Sequence, residues 1–191
     1  MNDEIFEAVV TTVSPAGAVH VAPMGVRYEG DAVVLMPFRP STTLDNITLT
    51  RSAVLNLLVD PCVFAGCVTG RKAWPTLPAS RVQGVRLASA LGHVELALAS
   101  VADDAQRPVL RLARVHDETH APFRGFNRAQ AAVIEGAVLV SRLRMLPPAK
   151  VDAEMAYLQI AIDKTAGPDT RQAWGWLQEA VARHRAQGAA S

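Results

Sequence analysis

The chain has 191 residues, of which half are apolar and 19% are charged, and its formal net charge is +1. The apolar share supports one substantial core, and 19 basic against 18 acidic residues argue against a nucleic-acid surface, which needs a concentrated basic face. Residues 1–4 do not resemble a secretory signal, and no apolar run is as long as a membrane helix, which needs about 20 residues. We therefore expect a cytoplasmic protein, bound neither to nucleic acid nor to membrane, in which Cys62 and Cys67 are reduced.

Three strands are predicted before residue 40, because runs rich in Val and Thr alternate with turn residues. These strands lie at residues 5–14, 18–26 and 32–38. A helix over 41–49 follows, since Ser41 or Thr42 can cap it and Asp45 lies close behind. Residues 53–59 form an apolar run of the length expected for a buried strand.

The second half of the chain changes from strands to helices. Residues 69–86 contain scattered Gly, Pro and Arg and predict an irregular, partly mobile loop. Two long strands, 87–101 and 109–115, are expected around a turn at 103–106. Helices are then predicted within 126–147, over 153–164, and from Asp169 or Thr170 to a frayed tail at 188–191.

Strands first and helices last indicate the α+β class, here an antiparallel β-barrel followed by a helical C-terminal layer. The barrel domain is expected to cover residues 1–122. A helical subdomain is expected to cover 123–188 and to pack on the barrel or at a dimer interface.

The hydroxyl cluster Ser41, Thr42 and Thr43 is the first candidate binding element. Hydroxyl groups and the unpaired N–H groups at a helix start are good partners for a phosphate. Asn46 lies about one helical turn further on and can direct its amide to the same ligand. Ordinary helix capping explains the hydroxyl groups equally well, so both interpretations stay open.

Residues Ala22, Pro23, Met24 and Gly25 form the second candidate element. Pro23 has no N–H and does not fit the middle of a central strand, and Gly25 allows another group to approach the backbone. Such an interrupted strand leaves backbone groups available for a planar heterocycle. A simple edge strand or bulge is the alternative explanation.

Other motifs give weaker signals. His116 and His120 enclose the order H-D-E-T-H, which is not the zinc motif H-E-x-x-H, so we predict no metal site. No nucleotide-binding glycine loop and no G-x-S-x-G element occurs. Arg128, Glu135 and Arg142 recur every seven residues and form either an ion-paired solvated face or a subunit- or ligand-facing strip.

The order of these segments resembles the flavin reductase-like, FMN-binding split-barrel superfamily. More narrowly, it resembles an uncharacterised branch found in archaea and in bacteria of one-carbon metabolism. The similarity spans nearly the whole chain. It rests on residues 5–7, 20–26, 41–43 with Asn46, 54–60, and the predicted helix from 126 to 143.

The resemblance implies non-covalent FMN at a homodimer interface. The hydroxyl cluster and Asn46 would hold the phosphate and ribityl chain, and the backbone of 22–25 would meet the isoalloxazine edge. Four further residues would close the pocket, some from the facing subunit. The implied contacts are His20, Val21, Ala22, Pro23, Met24, Gly25, Ser41, Thr42, Thr43, Asn46, Asn56, Asp60, Val63 and Phe64.

The resemblance also implies an oxidoreductase that passes hydride or electrons through flavin N5 to a small-molecule substrate, with a pterin-type one-carbon carrier as one candidate. The alternatives are a non-enzymatic flavin-binding or carrier protein, and a dimer that folds without flavin. No catalytic residue is assigned. His20 is the only titratable group of the first segment, and a histidine on a strand face is its simpler explanation.

Overall fold

The computed structural model describes residues 4–189, so residues 1–3 and the end of the predicted tail, 190–191, lie outside the described part. The chain divides into two compact units. The barrel unit comprises Met1–Leu58 and Ala73–Phe123, and the helical unit comprises Val59–Lys72 and Arg124–Ser191. The predicted boundary at residue 122 lies beside the observed one, but Val59–Lys72 joins the helical unit.

The barrel unit is built from eight strands and one helix within its described residues. These are β1 (Phe6–Val13), β2 (Val19–Glu29), β3 (Ala32–Leu35), α1 (Thr42–Thr50), β4 (Ser52–Leu57), β5 (Thr76–Pro78), β6 (Val85–Leu87), β7 (Gly92–Ala102) and β8 (Val109–Thr119). Six strands close an antiparallel barrel in the order β1-β2-β3-β8-β7-β4, and β5 pairs with β6. The predicted α+β class with an antiparallel barrel is confirmed.

Alternation along the strands places apolar side chains inside the barrel. Val10, Leu55, Leu96 and Leu112 are fully buried in one core cluster. Helix α1 closes this cluster with Leu44 and Ile47, among other contacts. Full burial of each such side chain stabilises the fold by roughly 1.5–3 kcal/mol.

Several strand predictions differ in length from the structure, including the one predicted at 87–101, which begins only at Gly92. The third strand was predicted to reach residue 38 but ends at Leu35, and the N–H of Arg39 donates to the carbonyl of Gln106 instead of continuing the ladder (2.9 Å). Strand β8 continues to Thr119, beyond the predicted end at residue 115, because it pairs with β7 as far as Gly92.

Residues 79–87, here called the strap, are tied down rather than irregular and loose as predicted for 69–86. Ser52 Oγ on β4 donates to the Gln83 carbonyl (2.7 Å). The strap approaches β4 closely at Gly84, where an added Cβ would lie 3.1 Å from a methyl group of Val54. The backbone of the strap is therefore held against the outer wall of the barrel.

The helical unit contains α2 (Pro61–Val68), α3 (Arg128–Ser141), α4 (Pro148–Thr165) and α5 (Pro168–Ala189). Asn127 caps α3, because its Oδ1 accepts from the N–H of Ala129 at 2.9 Å. Val133, Trp174 and Leu177 are central to its core. Within residues 4–189, no helix combines the length and the apolar character needed to cross a membrane.

Replacing Gly136 by Ala tests the packing of α3 against α5. An added Cβ would lie 2.8 Å from Trp174 Cζ3 and 3.0 Å from Leu177 Cδ1. Alanine favours a helix by about 1 kcal/mol over glycine, but overpacking costs about 1–3 kcal/mol. We expect Gly136→Ala to lower the free energy of unfolding by up to about 2 kcal/mol in urea titrations followed by circular dichroism.

Gly175 on α5 provides the matched control, since an added Cβ there has nothing within 4 Å. Gly175→Ala should therefore raise stability by up to about 1 kcal/mol through helix propensity alone. Equal stability of the two variants would contradict the packing assigned to Gly136.

Candidate functional site

The start of α1 presents hydrogen-bond donors, as the hydroxyl cluster predicted. Ser41 is the N-cap with extended backbone angles, and its Oγ accepts from the N–H of Leu44 at 3.3 Å. The N–H of Asp45 donates to the Ser41 carbonyl at 3.0 Å. The N–H groups of Thr42 and Thr43 have no acceptor within an α-helix at these positions, so they point to the space before the helix.

Asn46 connects this helix start to the strands. Its side chain is 4% exposed, and Nδ2 donates to Thr12 Oγ1 on β1 at 3.0 Å. Thr12 is the cross-strand partner of His20 on β2. Because cross-strand partners project from the same face of a sheet, His20 lies on the side that carries Thr12. The structure thus brings the first two candidate segments together.

The middle of β2 has a ladder on one edge only. Strand β1 pairs with Val19–Val26, whereas β3 pairs only with Val26–Glu29. Among the described residues, the second edge of β2 from Ala22 to Gly25 therefore lies outside the barrel ladder. Strand β2 runs unbroken from Val19 to Glu29, so Pro23 does not interrupt it as predicted. Pro23 lies instead in the part of β2 with an open edge, where a residue without an N–H is tolerated.

The close neighbour of Gly25 is a side chain of the protein, not the ligand that the sequence suggested. A Cβ built on Gly25 would lie 2.7 Å from Cγ2 of Ile5. The group that approaches this part of the backbone is therefore the Ile5 side chain, itself 50% exposed. Cγ2 is attached to the branched Cβ of Ile5 and moves only when χ1 rotates, so this side of Gly25 is occupied by the protein itself.

Asn56 lies on the outer wall and uses its amide within the protein. It is fully buried, and Nδ2 donates to the Val9 carbonyl and to Thr11 Oγ1, each at 3.1 Å. Its Oδ1 accepts from the N–H of Leu87 at 2.7 Å. Asn56 therefore holds the end of the strap, and its expected contact with a cofactor stays a prediction.

Three more predicted contacts, Asp60, Val63 and Phe64, belong to the helical unit. Asp60 caps α2, because its Oδ1 accepts from the N–H of Cys62 at 2.9 Å. Val63 and Phe64 are buried. Burial, together with Asp60 and Asp169, raises the pKa of the Cys62 thiol to about 11, so this thiol is a poor nucleophile near neutrality. A cofactor role for the three residues stays a prediction.

Strand β7 carries a buried carboxylate that was not among the predicted site residues. Glu95 is fully buried, and its two oxygens accept from the N–H groups of Ser80, Arg81 and Val82 at 2.6–2.9 Å and from Ser80 Oγ at 2.8 Å. Burial raises the pKa of Glu95, but these hydrogen bonds outweigh it and lower the pKa to about 2. The ionised carboxylate therefore holds the start of the strap.

A histidine pair adjoins this carboxylate. His93 Nε2 lies 3.3 Å from Glu95 Oε1, and His93 Nδ1 lies 2.9 Å from His120 Nε2. His120 Nδ1 in turn lies 3.9 Å from Glu118 Oε1. Burial, followed by the charge of Arg86, lowers the pKa of His120, which favours its neutral form.

Comparison with known sequences identifies the family. Residues 6–121 match the family model for the N-terminal domain of DUF447, a family described as proteins of unknown function, and residues 127–179 match the second DUF447 model. The chain belongs to the DUF447 family. A search of curated proteins gives no match.

Solved structures similar to this DUF447 chain share its fold. An FMN-bound DUF447 protein from Methanosarcina mazei has a TM-score of 0.79 and 18% identity, covering 94% of this chain and 96% of that one. The 2-nitrobenzoate 2-nitroreductase of Pseudomonas fluorescens has a TM-score of 0.54 and 19% identity, with 63% and 66% covered. The NADH:FAD oxidoreductase of Streptomyces globisporus has a TM-score of 0.51 and 9% identity, with 62% and 78% covered. The flavin reductase-like barrel fold is confirmed.

Glu95 predicts an acid-sensitive contribution to the stability of this DUF447 chain. The pKa of Glu95 is about 2 in the folded chain and 4.5 for an ordinary glutamate, so the contribution is complete above pH 4.5 and is lost as pH falls towards 2. We expect Glu95→Gln to lower the free energy of unfolding at pH 7 by about 1–3 kcal/mol and to flatten its change between pH 5 and pH 2.5.

Asp31→Asn, in the exposed turn between β2 and β3, is the control for loss of one negative charge. It should leave both the stability at pH 7 and the acid dependence nearly unchanged. An acid dependence of Glu95→Gln identical to that of the wild type would contradict the assignment.

Proposed function

We propose that this DUF447 chain binds FMN non-covalently, with the phosphate at the start of α1 and the isoalloxazine ring along the open edge of β2. The observation that carries the proposal is the junction of these two elements through Asn46 and Thr12. The FMN-bound relative with the same fold supports it.

The start of α1 fits a phosphate in three ways. The N–H groups of Thr42 and Thr43 and the positive end of the helix dipole favour an anion. Ser41 Oγ accepts from Leu44, which leaves its own hydroxyl hydrogen available to a ligand. Hydrogen bonds from these groups to a charged phosphate are stronger than neutral ones.

Asn46 and His20 bound the space behind the phosphate. Asn46 is held by Thr12, so its position is set before any ligand arrives. The backbone of Ala22–Gly25 offers an edge along which a planar ring can lie, and Pro23 removes one competing donor. This chain would therefore position and orient the cofactor and donate hydrogen bonds to it.

The proposed activity is that of an oxidoreductase acting on a small molecule. When bound, FMN supplies hydride- and electron-transfer chemistry, whereas the protein tunes and shields the cofactor. His20 is the only titratable side chain in residues 20–25. Hydride or electron transfer that uses no acid or base from the protein needs no further titratable residue in this segment.

A flavin carrier without turnover is the second candidate. The absence of an acid–base pair in residues 20–25 fits this candidate as well as the enzyme, because neither binding nor hydride transfer requires such a pair. A homodimer, a cytoplasmic location and a pterin-type substrate belong to the proposal on the strength of the family resemblance. Anaerobic addition of NADH or NADPH to the FMN-loaded protein separates the candidates: flavin bleaching faster than for free FMN supports the enzyme.

Removing the hydroxyl cluster tests the phosphate site. Ser41→Ala/Thr42→Ala/Thr43→Ala removes the side-chain donors, each worth about 1.5–3 kcal/mol to a charged partner. We expect the Kd for FMN, measured by quenching of flavin fluorescence, to rise at least about 100-fold. Thr48→Ala/Thr50→Ala is the matched control, since those hydroxyls donate to the Leu44 and Asn46 carbonyls within α1.

Ser41→Asp gives a sharper test of where the phosphate binds. Aspartate keeps the N-cap, so the helix should remain folded, but its carboxylate repels a phosphate. We expect the wild type to bind FMN more tightly than riboflavin, and Ser41→Asp to lose that preference without weakening riboflavin binding. An unchanged FMN preference would refute the placement at α1.

A further inference from the structure

Three potential metal ligands converge at the end of β7 and β8. His93, Glu118 and His120, here called the β7–β8 cluster, each place a ligand atom within 4.8 Å of the others. His93 and Glu118 are cross-strand partners in the β7–β8 ladder. The N–H of His120 donates to the Leu91 carbonyl at 2.7 Å, which fixes the chain just after β8. Strand pairing sets the positions of His93 and Glu118, and the hydrogen bond to Leu91 sets that of His120.

Glu95 determines which nitrogen of His93 faces the cluster. Its carboxylate already accepts four hydrogen bonds from the strap and is therefore an acceptor towards His93. His93 Nε2 must carry a hydrogen to donate to Glu95 Oε1, which leaves a lone pair on Nδ1 in the neutral ring. Metal-bound histidines almost always donate their other ring N–H in this way, often to a carboxylate.

The lone pair of His93 Nδ1 meets His120 Nε2 across a short gap. The nitrogens are 2.9 Å apart, the ring planes differ by 12°, and the ring centroids are 5.0 Å apart, so the rings meet by their edges. Either a shared proton or a metal ion can join the nitrogens. Two nitrogens bound to one ion at about 2.1 Å lie about 3–3.4 Å apart, so a shift of a few tenths of an ångström accommodates a metal.

We propose that His93 Nδ1, His120 Nε2 and the Glu118 carboxylate form a binding site for a divalent transition metal of the Zn²⁺ class, with Glu95 orienting His93. Two imidazoles and one carboxylate form a ligand set that zinc and iron(II) sites use, and it leaves coordination positions open to water or another ligand. The exposed side of Glu118 provides an entry path, since its side chain is 57% exposed.

The proposed site is independent of the FMN proposal. Glu95, His93 and Glu118 lie on the outward-facing positions of β7 and β8, whereas Leu96 and Leu112 of the same strands point into the barrel. The Ser41→Asp variant, designed to disturb phosphate binding, should therefore bind the metal as the wild type does.

Titration of the tag-free full chain with Zn²⁺ after treatment with a chelator tests the proposal. Calorimetry should show one ion bound per chain, and Co²⁺ in its place should give the visible absorption bands of a nitrogen- and oxygen-ligated ion. Zn²⁺ should move the ¹⁵N resonance of His93 Nδ1, while Nε2 keeps its hydrogen. His120→Ala should abolish the binding, and Glu118→Gln should weaken it at least about tenfold.

Two variants control for charge and histidine content. Asp117→Asn makes the same charge change one residue away on the other face of β8, and His184→Ala removes a histidine in the helical unit. Both should retain wild-type affinity. Absence of saturable one-to-one binding, or wild-type affinity in folded His120→Ala or Glu118→Gln, would overturn the proposal and leave a hydrogen bond between the two histidines.

Discussion

A closed barrel allows each strand residue only one of two environments, and this constraint determines both candidate sites. Residues such as Val10, Leu55 and Leu96 point into the core and exclude water from it. Their immediate neighbours must point outward. Asn56 and His93 are cross-strand partners on that outer side, and burying them required hydrogen-bond partners from elsewhere in the chain.

The strap supplies a partner to Asn56 directly and supports His93 through Glu95. Its backbone N–H groups bind Glu95 and Asn56, and its carbonyl at Gln83 accepts from Ser52. Without the strap, the outer wall would expose both apolar side chains and buried polar groups to water. Without the wall, the strap would have no acceptors for its N–H groups. The two elements therefore satisfy each other's hydrogen-bonding groups, which explains how a segment predicted to be irregular becomes ordered.

The sequence predicted those elements that neighbouring residues alone determine. Ser41 caps α1 as expected, because an N-cap needs only the next three residues. Helix α2 was missed, although Asp60 before Pro61 is a helix start signal, since the apolar run 61–68 has no helical period on which to rely.

The β7–β8 cluster was missed for a different reason. H-D-E-T-H does not match the helical zinc motif, but the extended chain of β8 and the residue after it places His116, Glu118 and His120 on one face by its period of two. The partners on β7 follow only from the register, which pairs His93 with Glu118. The sequence of either strand alone does not reveal this register, because it depends on the turn between the strands and on the bulges in their ladder.

Two adjacent threonines on β1 show how one strand serves both sides of the wall. Thr12 faces the barrel side and accepts from Asn46, which belongs to the donor-rich start of α1. Thr11 faces outward, accepts from Asn56 and donates to the Val85 carbonyl of the strap. The inner side thus presents N–H and O–H donors, which suit an anion, whereas the outer side presents carboxylate and imidazole lone pairs, which suit a cation. Because β1 pairs with β4 and β4 pairs with β7, a hydrogen-bonded wall lies between the two sides, and one chain can carry sites of opposite charge preference without either neutralising the other.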